Sequence, residues 1–335
     1  MTMVRGGGVS GGRAGRIGAR ARAHCAERFA GPGFGTRGRS SGRGRPLRRA
    51  VAAGLLAAAF ALTGPGAEGP RAARADALTE IGARGMLRLG YREDAPPFSY
   101  LDDSKRPSGL AVELCQAAAP GVARAAGLPE GQPIEWVPVT AATRFEALTE
   151  GRIDLLCGPT TQSLQRRETM DFSIPYFVDG AGIVFRKGGA ERLADLTDDP
   201  VGVLNGTTTE TLARKVLAEV APGAQLVIFD SHVKGLEALQ RGEIEAYLGD
   251  QSILLYQLGR LRPTVQPVIA RRTLSREPYA LAMRRGEAGL RLAVDRELSR
   301  IYASGAIWDM IGDALGKVQI SPEIEAIYEV VTIPE

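Results

Sequence analysis

Histidine is nearly absent from this chain: of 335 residues, only His24 and His232 are histidine. Cysteine is scarce too, at Cys25, Cys115 and Cys157, and there are two tryptophans. No Cys/His spacing fits a metal site, and one histidine beyond residue 75 cannot furnish a Ser-His-Asp or Cys-His constellation in any recognisable pattern. Both absences count against metal-assisted and nucleophilic hydrolysis. Long apolar runs are also missing, since the stretch 50–62 is too short to span a bilayer. Lysine is absent from residues 1–75, which hold fourteen arginines against Glu27 and Glu68, a net of +12. The whole chain is only +4, so residues 76–335 carry −8. That distribution removes the nucleic-acid reading that a pI of about 9.1 invites. Attraction for an anion must come from a local cluster, not from overall charge.

The basic segment reads as a leader. Residues 1–49 are rich in Arg and Gly and can bury little surface. Arg48-Arg49 precedes the apolar run, and Ala73-Arg74-Ala75 offers a small-x-small cleavage site before Asp76. The expectation is a signal peptide over 1–75 with an overlong n-region, cut after Ala75, and a periplasmic product. Sec and twin-arginine export both fit, and a start near Leu47 would shorten the n-region. Cys115 and Cys157 can pair in an oxidising compartment. One lies on a predicted helix and the other at a strand end, and two buried free thiols are slightly favoured.

From about residue 84, strand-like and helix-like segments alternate. Strands are expected at 86–90, 134–137, 153–156, 201–204, 226–229 and 246–248. Helices are expected at 109–126, 143–149, 208–220, 233–241 and 250–258. Such alternation predicts an α/β protein of βαβ units, with mainly parallel sheets flanked by helices. The pattern restarts after Gly180, so two half-size units form one chain with a cleft between them, and ligands bind at the carboxyl ends of their strands. Segments 181–185 and 279–283 are expected to cross between the units as a hinge. The expected division is 76–186 and 277–335 for lobe 1 and 187–276 for lobe 2. Arg92, Thr160, Thr161, Thr207 and Asp250 each follow a strand.

The stretch with most chemistry is Cys157-Gly-Pro-Thr-Thr-Gln-Ser-Leu-Gln-Arg-Arg-Glu-Thr-Met-Asp-Phe-Ser-Ile-Pro-Tyr176. It gathers hydroxyls, free backbone amides and the Arg166 guanidinium at a strand–helix junction, a geometry suited to a carboxylate. It resembles the ligand loop of extracytoplasmic amino-acid-binding proteins of ABC importers, the solute-binding proteins of family 3. Further landmarks of that resemblance are Gly90-Tyr-Arg-Glu-Asp-Ala-Pro-Pro-Phe-Ser-Tyr100, Gly151-Arg-Ile-Asp154, Gly206-Thr-Thr-Thr-Glu210 and Tyr247-Leu-Gly-Asp250. Together they cover about residues 77–315, and the Cys-Gly-x-Thr-Thr loop is most similar to the glutamate/aspartate-binding branch.

The resemblance implies a two-lobed periplasmic binding protein type II fold that closes on an amino acid and presents it to an ABC permease. It implies a monomer, no cofactor and no covalent chemistry. Arg166, Thr161 and the backbone at Thr207 and Thr208 would hold the α-carboxylate, while Asp250 and the Pro159 carbonyl would take the α-ammonium. Arg92, Arg144 and His232 would face an acidic side chain, because three such donors are costly to bury without an anion. Each has a plainer reading: a loop arginine, a helix-end charge, a helix-start histidine. Arg166 could be a solvated helix residue and Asp250 an N-cap.

Ala141 stands where that branch tends to carry a serine, and Pro159 replaces a small polar residue. A broader glutamate/aspartate/glutamine/asparagine receptor therefore stays open. A cleft enzyme of the prephenate or arogenate dehydratase type also stays open, with Glu93, Glu113 and Glu210 as candidate acids. Tyr91, Phe98 and Tyr100 are candidates to pack on the ligand or the core. Ala306-Ile307-Trp308 is expected to anchor the lobe 1 core, and Arg271-Arg272 and Arg284-Arg285 to be solvated.

Overall fold

The computed structural model describes residues 75–129, 131–262, 266–270, 272–316 and 322–334. The expected leader lies outside them except for its last residue, Ala75. Helix α1 (Ala77–Arg84) begins at Asp76, whose carboxylate accepts from the Thr79 amide at 2.8 Å, and ends at Gly85 in the left-handed conformation. Strand β1 (Leu87–Arg92) leads to a small antiparallel sheet, β2 (Asp94–Ala95), β3 (Ser99–Leu101) and β4 (Pro107–Ser108). Then follow α2 (Leu110–Ala125), β5 (Ile134–Val139), α3 (Arg144–Thr149), β6 (Leu155–Cys157), α4 (Leu164–Arg167), β7 (Met170–Phe172) and β8 (Phe177–Asp179).

The second half holds β9 (Ala181–Phe185), β10 (Pro200–Leu204), α5 (Thr208–Val220), β11 (Gln225–Phe229), α6 (His232–Arg241), β12 (Ala246–Asp250), α7 (Gln251–Leu261) and β13 (Val268–Ile269). The chain then returns through β14 (Glu277–Tyr279) and β15 (Ala282–Arg284) to α8 (Ala288–Ser304), α9 (Ala306–Leu315) and α10 (Pro322–Val331).

Two five-stranded sheets result. The first runs β5-β1-β6-β15-β7, parallel across β5, β1 and β6 and antiparallel at β15 and β7. The second runs β11-β10-β12-β9-β13, with the same mixture. Each sheet has apolar cores on both faces, so helices cover both sides. This is the two-lobed α/β fold with two crossover strands.

Both crossing segments differ from expectation, since Ala282 and Met283 of 279–283 belong to β15 of the first sheet. Residues 181–185 form a full strand of the second sheet, pairing with β12 across five residues. The segment running between the sheets is the ribbon β8·β14, in which Phe177, Val178 and Asp179 face Tyr279, Pro278 and Glu277. The apolar run 181–185 is buried throughout, and that burial on both faces makes it a sheet strand, not a bare connector.

Other expectations are corrected. Cys115 and Cys157 are bonded to each other, where free thiols were favoured: α2 lies against β6 and brings the two sulfurs together. Of Ala306-Ile307-Trp308, Ile307 is fully buried in the core as expected, but Trp308 is 36% exposed and meets Tyr328 edge-on. Arg284 is buried, not solvated, and pairs with Glu80 at 2.9 Å and Glu287 at 2.8 Å. Arg272 is exposed, and Arg271 lies outside the described residues.

Candidate functional site

The loop after β6 is stitched to the returning chain. The Ala280 amide donates to the Thr160 carbonyl at 3.1 Å, Gln162 donates to the Pro278 carbonyl at 2.8 Å, and Thr161 bridges Tyr279. Ser163 caps the short helix α4 by accepting from the Arg166 amide at 3.2 Å. The Arg166 side chain turns back over the loop and donates from Nη1 to the Thr161 carbonyl at 2.9 Å. Pro159 is buried within this loop.

From the second lobe, α5 presents its N-terminus. Thr207 caps it, accepting from the Glu210 amide at 3.1 Å and donating to the Leu204 carbonyl at 2.8 Å. Its hydroxyl is thus spent on the helix, while the first amides of α5 have no intrahelical partner. Gly206, just before the cap, sits at φ +70 with the Ala141 carbonyl 3.0 Å from where a Cβ would be. Any side chain there would meet backbone from the first lobe. The cleft is shut at this point, and Arg144 Nη2 donates across it to the Gly206 carbonyl at 3.0 Å.

Arg144 opens α3 and is among the most deeply buried large side chains, 2% exposed. Its Nε and Nη1 have no hydrogen-bond partner. Burial, with Arg92 and Arg166 nearby, presses its pKa well below the ordinary guanidinium value. Two of these cations lie over the Phe145 ring, the Arg144 guanidinium carbon 4.2 Å and that of Arg166 4.9 Å from its centroid. Arg92, at the end of β1 and 2% exposed, donates from Nε to Asp94 at 2.9 Å. The Thr160 hydroxyl is buried without a partner.

His232 begins α6 and is buried against Tyr247, whose hydroxyl lies 3.2 Å from Nδ1. Burial and the Arg92 charge lower its pKa to about 4, so the ring is neutral at neutral pH. It enters the cluster as a neutral hydrogen-bonding group, so of the three expected donors only Arg92 and Arg144 are cations. Burial outweighs the attraction of Asp94.

Opposite the arginines are carboxylates. Asp250 ends β12 and holds the N-cap position of α7, yet its side chain makes no cap bond. It accepts from the Thr209 hydroxyl at 3.2 Å and the Tyr279 hydroxyl at 2.6 Å. Burial and nearby Glu277 raise its pKa. Glu277 is 3% exposed and takes hydroxyls from both sides of the cleft, Thr161 at 2.5 Å and Thr208 at 2.6 Å, with Ser275 on its other oxygen at 2.8 Å. Asp179 accepts from the amides of Gly180 at 2.9 Å and Ser252 at 3.2 Å.

Sequence reading missed Glu277, Asp179 and Tyr279. The available signal was period-2 alternation, which puts residues 277 and 279 on one face of an extended segment. The register that sets Asp179 opposite Glu277 joins residues about a hundred apart and has no local trace.

Phe98 is core, fully buried with its ring 5.0 Å from Phe177 and 5.2 Å from Tyr279. Tyr91 meets Trp136, and Tyr100 meets Tyr256. The acids considered for dehydration have other surroundings. The Glu210 side chain is held by the Gly206 amide and Arg214, Glu93 is 3.5 Å from the Tyr91 hydroxyl, and Glu113 is raised by burial and Asp313.

Residues 87–313 match the family model of bacterial extracellular solute-binding proteins, family 3. The chain belongs to that family. A glutamate/aspartate import solute-binding protein of Escherichia coli K12 is 26% identical over 77% of this chain and 85% of its own length. An L-glutamate/L-aspartate-binding protein of Pseudomonas aeruginosa is 28% identical over 69% and 76%. A solved solute receptor for L-cysteine of Neisseria gonorrhoeae has 27% identity and a TM-score of 0.65, covering 75% of this chain and 98% of that one. The family 3 protein is accordingly an amino-acid receptor in class, with buried arginines and carboxylates gathered in its cleft.

Proposed function

We propose that the protein captures an acidic amino acid, glutamate or aspartate, in the periplasm and delivers it to an ABC permease. The observation that carries this reading is Arg144, a fully buried guanidinium with two unpartnered nitrogens beside Arg92. Unpaired buried charge is costly, and a carboxylate that bonds both nitrogens removes the cost. A ligand side-chain carboxylate would take that place, with Arg92 as second cation and His232 as neutral donor.

The α-carboxylate would sit on Arg166, the Thr161 hydroxyl and the α5 amides of Thr208 and its neighbours next to Thr207. The α-ammonium would go to Asp250 and the Pro159 carbonyl. Capture needs no covalent step: both lobes donate charge-assisted bonds, and closure about the β8·β14 ribbon brings them together. The likeness to two glutamate/aspartate-binding relatives supports the same ligand class.

The test is calorimetry on protein refolded to strip carried-over ligand, titrated with glutamate, aspartate, glutamine and asparagine. Glutamate or aspartate should bind at least about tenfold tighter than the amides, because burying an uncompensated guanidinium costs several kcal/mol. Equal binding of the amides would make this a broad polar site. Turnover of prephenate would replace the receptor reading with an enzyme.

A further inference from the structure

Asp179 and Glu277 face each other directly in the antiparallel β8·β14 ribbon. Directly opposed residues project from the same face, and like charges so placed destabilise a ribbon. Tyr279, two residues beyond Glu277, shares that face, and Asp250 completes the group. None of the three carboxylates has an ion-pair partner among the described residues. Among the described residues, neutral hydroxyls and amides do their hydrogen bonding.

Counting hydrogens shows what is missing. Burial among carboxylates raises Tyr279 well above the ordinary phenol pKa, so it keeps its single hydrogen. The hydroxyl lies 2.6 Å from Asp250 Oδ2 and 3.3 Å from Asp179 Oδ2. One hydrogen serves one of these contacts, and the shorter one, to Asp250, takes it. The Asp179 contact is then acceptor against acceptor unless one carboxylic hydrogen is shared into the group, on Asp179 or on Asp250.

The charges around the pair favour Asp179 as its holder. Arg92 and Arg144 act on Asp250, Arg166 acts on Asp250 and Glu277, and Tyr176 is the other phenol that feels Asp179. The main charge acting on Asp179 is Asp250, which repels, and the opposing effect of each of the Gly180 and Ser252 amides is smaller. Burial and that repulsion raise Asp179 to about 7. A ligand enters this same cleft on the receptor reading above, which Arg144 and its unpartnered nitrogens support independently of the carboxylates.

We propose that Asp179 of the empty cleft holds a proton directed at the Tyr279 oxygen, and that the ammonium group of an incoming amino acid displaces it. The nitrogen brings one positive charge and one proton leaves to solvent, so the pocket's charge is unchanged. Asp179 is thereby assigned as a second carboxylate of the ammonium pocket beside Asp250.

Calorimetric titration of glutamate in buffers of small and large ionisation heat reads the proton directly. At pH 7 the wild-type protein should release about half a proton per ligand, rising toward one near pH 6 and fading by about pH 9. Asp179→Asn should bind more weakly and with a heat independent of buffer. A buffer-independent heat in the wild type at pH 6 and 7, or the same release from Asp179→Asn, overturns the proposal while leaving the receptor reading intact.

If none of the four amino acids binds, the receptor reading fails and the proton is read in the ligand-free protein. Asp179, with its folded pKa raised above its unfolded one, loses stability as pH rises from about 4 to about 7. The stability difference between Asp179→Asn and wild type should therefore move in the variant's favour across that window. A difference that stays flat overturns the proposal by this route.

Discussion

The two ends of the cleft are built on opposite principles. At the cationic end, Arg144 is buried with two nitrogens unpaired, and Thr160 keeps an unpartnered hydroxyl. At the anionic end, every carboxylate is already bonded: Glu277 to three hydroxyls, Asp250 to two, Asp179 to two amides. The first end has donors waiting, and the second has acceptors occupied. An unmet buried donor raises the energy of the empty state, so a ligand that meets it gains that energy on binding. An acceptor already satisfied by neutral groups gains less, because the ammonium must share or replace bonds. The contrast assigns affinity mainly to the arginine end.

The strongest way to break that comparison is Arg166→Ala, which removes the guanidinium proposed to hold the α-carboxylate. Titration calorimetry should show every amino acid weakened roughly a hundredfold or more, about 3 kcal/mol. Comparable loss from Asp250→Asn, with little from Arg166→Ala, would reverse the ranking of the ends.

His232 sharpens the electrostatic side. Its folded pKa of about 4 lies below the ordinary value of 6.5, so the unfolded chain takes the proton first. Stability should fall as pH drops from about 6.5 toward 4, by up to roughly 3 kcal/mol. His232→Gln should remove that slope in pH-dependent denaturant melts; an unaltered slope would mean the ring charges freely beside Arg92.

Arg144→Leu should separate binding from stability. The empty protein should melt higher, by about 1–3 kcal/mol, because an unpaired buried charge is replaced by apolar volume. Glutamate affinity should drop while glutamine is less affected. A variant less stable than wild type would show that the bond to the Gly206 carbonyl outweighs the desolvation of the cation.

The smallest effect should come from Glu277→Gln, with opposite sign. The amide oxygen can still accept from Thr161 and Thr208, but the charge competing with a ligand carboxylate is gone. Glutamate should bind a few-fold tighter, roughly 1 kcal/mol. Weaker binding would make Glu277 a support for the Thr161 and Thr208 hydroxyls, not their competitor.

Much of the fold was legible along the chain. Helix 208–220 was predicted to the residue, because Thr207 and Glu210 carry start signals that act within one turn. The alternation of strand and helix announced two α/β units, and local pattern suffices for that. Residues 157–166 also stood out in the sequence as a candidate carboxylate loop, since a Gly-Pro turn, paired threonines and an arginine lie within ten positions.

What local pattern does not carry is pairing between distant segments and the state of charge after burial. The Cys115–Cys157 bond depends on α2 lying against β6, and the second-sheet place of residues 181–185 depends on β12. Neutral His232 depends on how completely water is excluded around it. The Asp179–Glu277 opposition requires two strands about a hundred residues apart to meet in one register. Sequence by itself determined the elements, the two α/β units and the make-up of the 157–166 loop, because those arise from contacts within a few residues. Tertiary structure alone decided which donors were left unpaired and which carboxylates were crowded together, because burial and register are properties of the assembled chain.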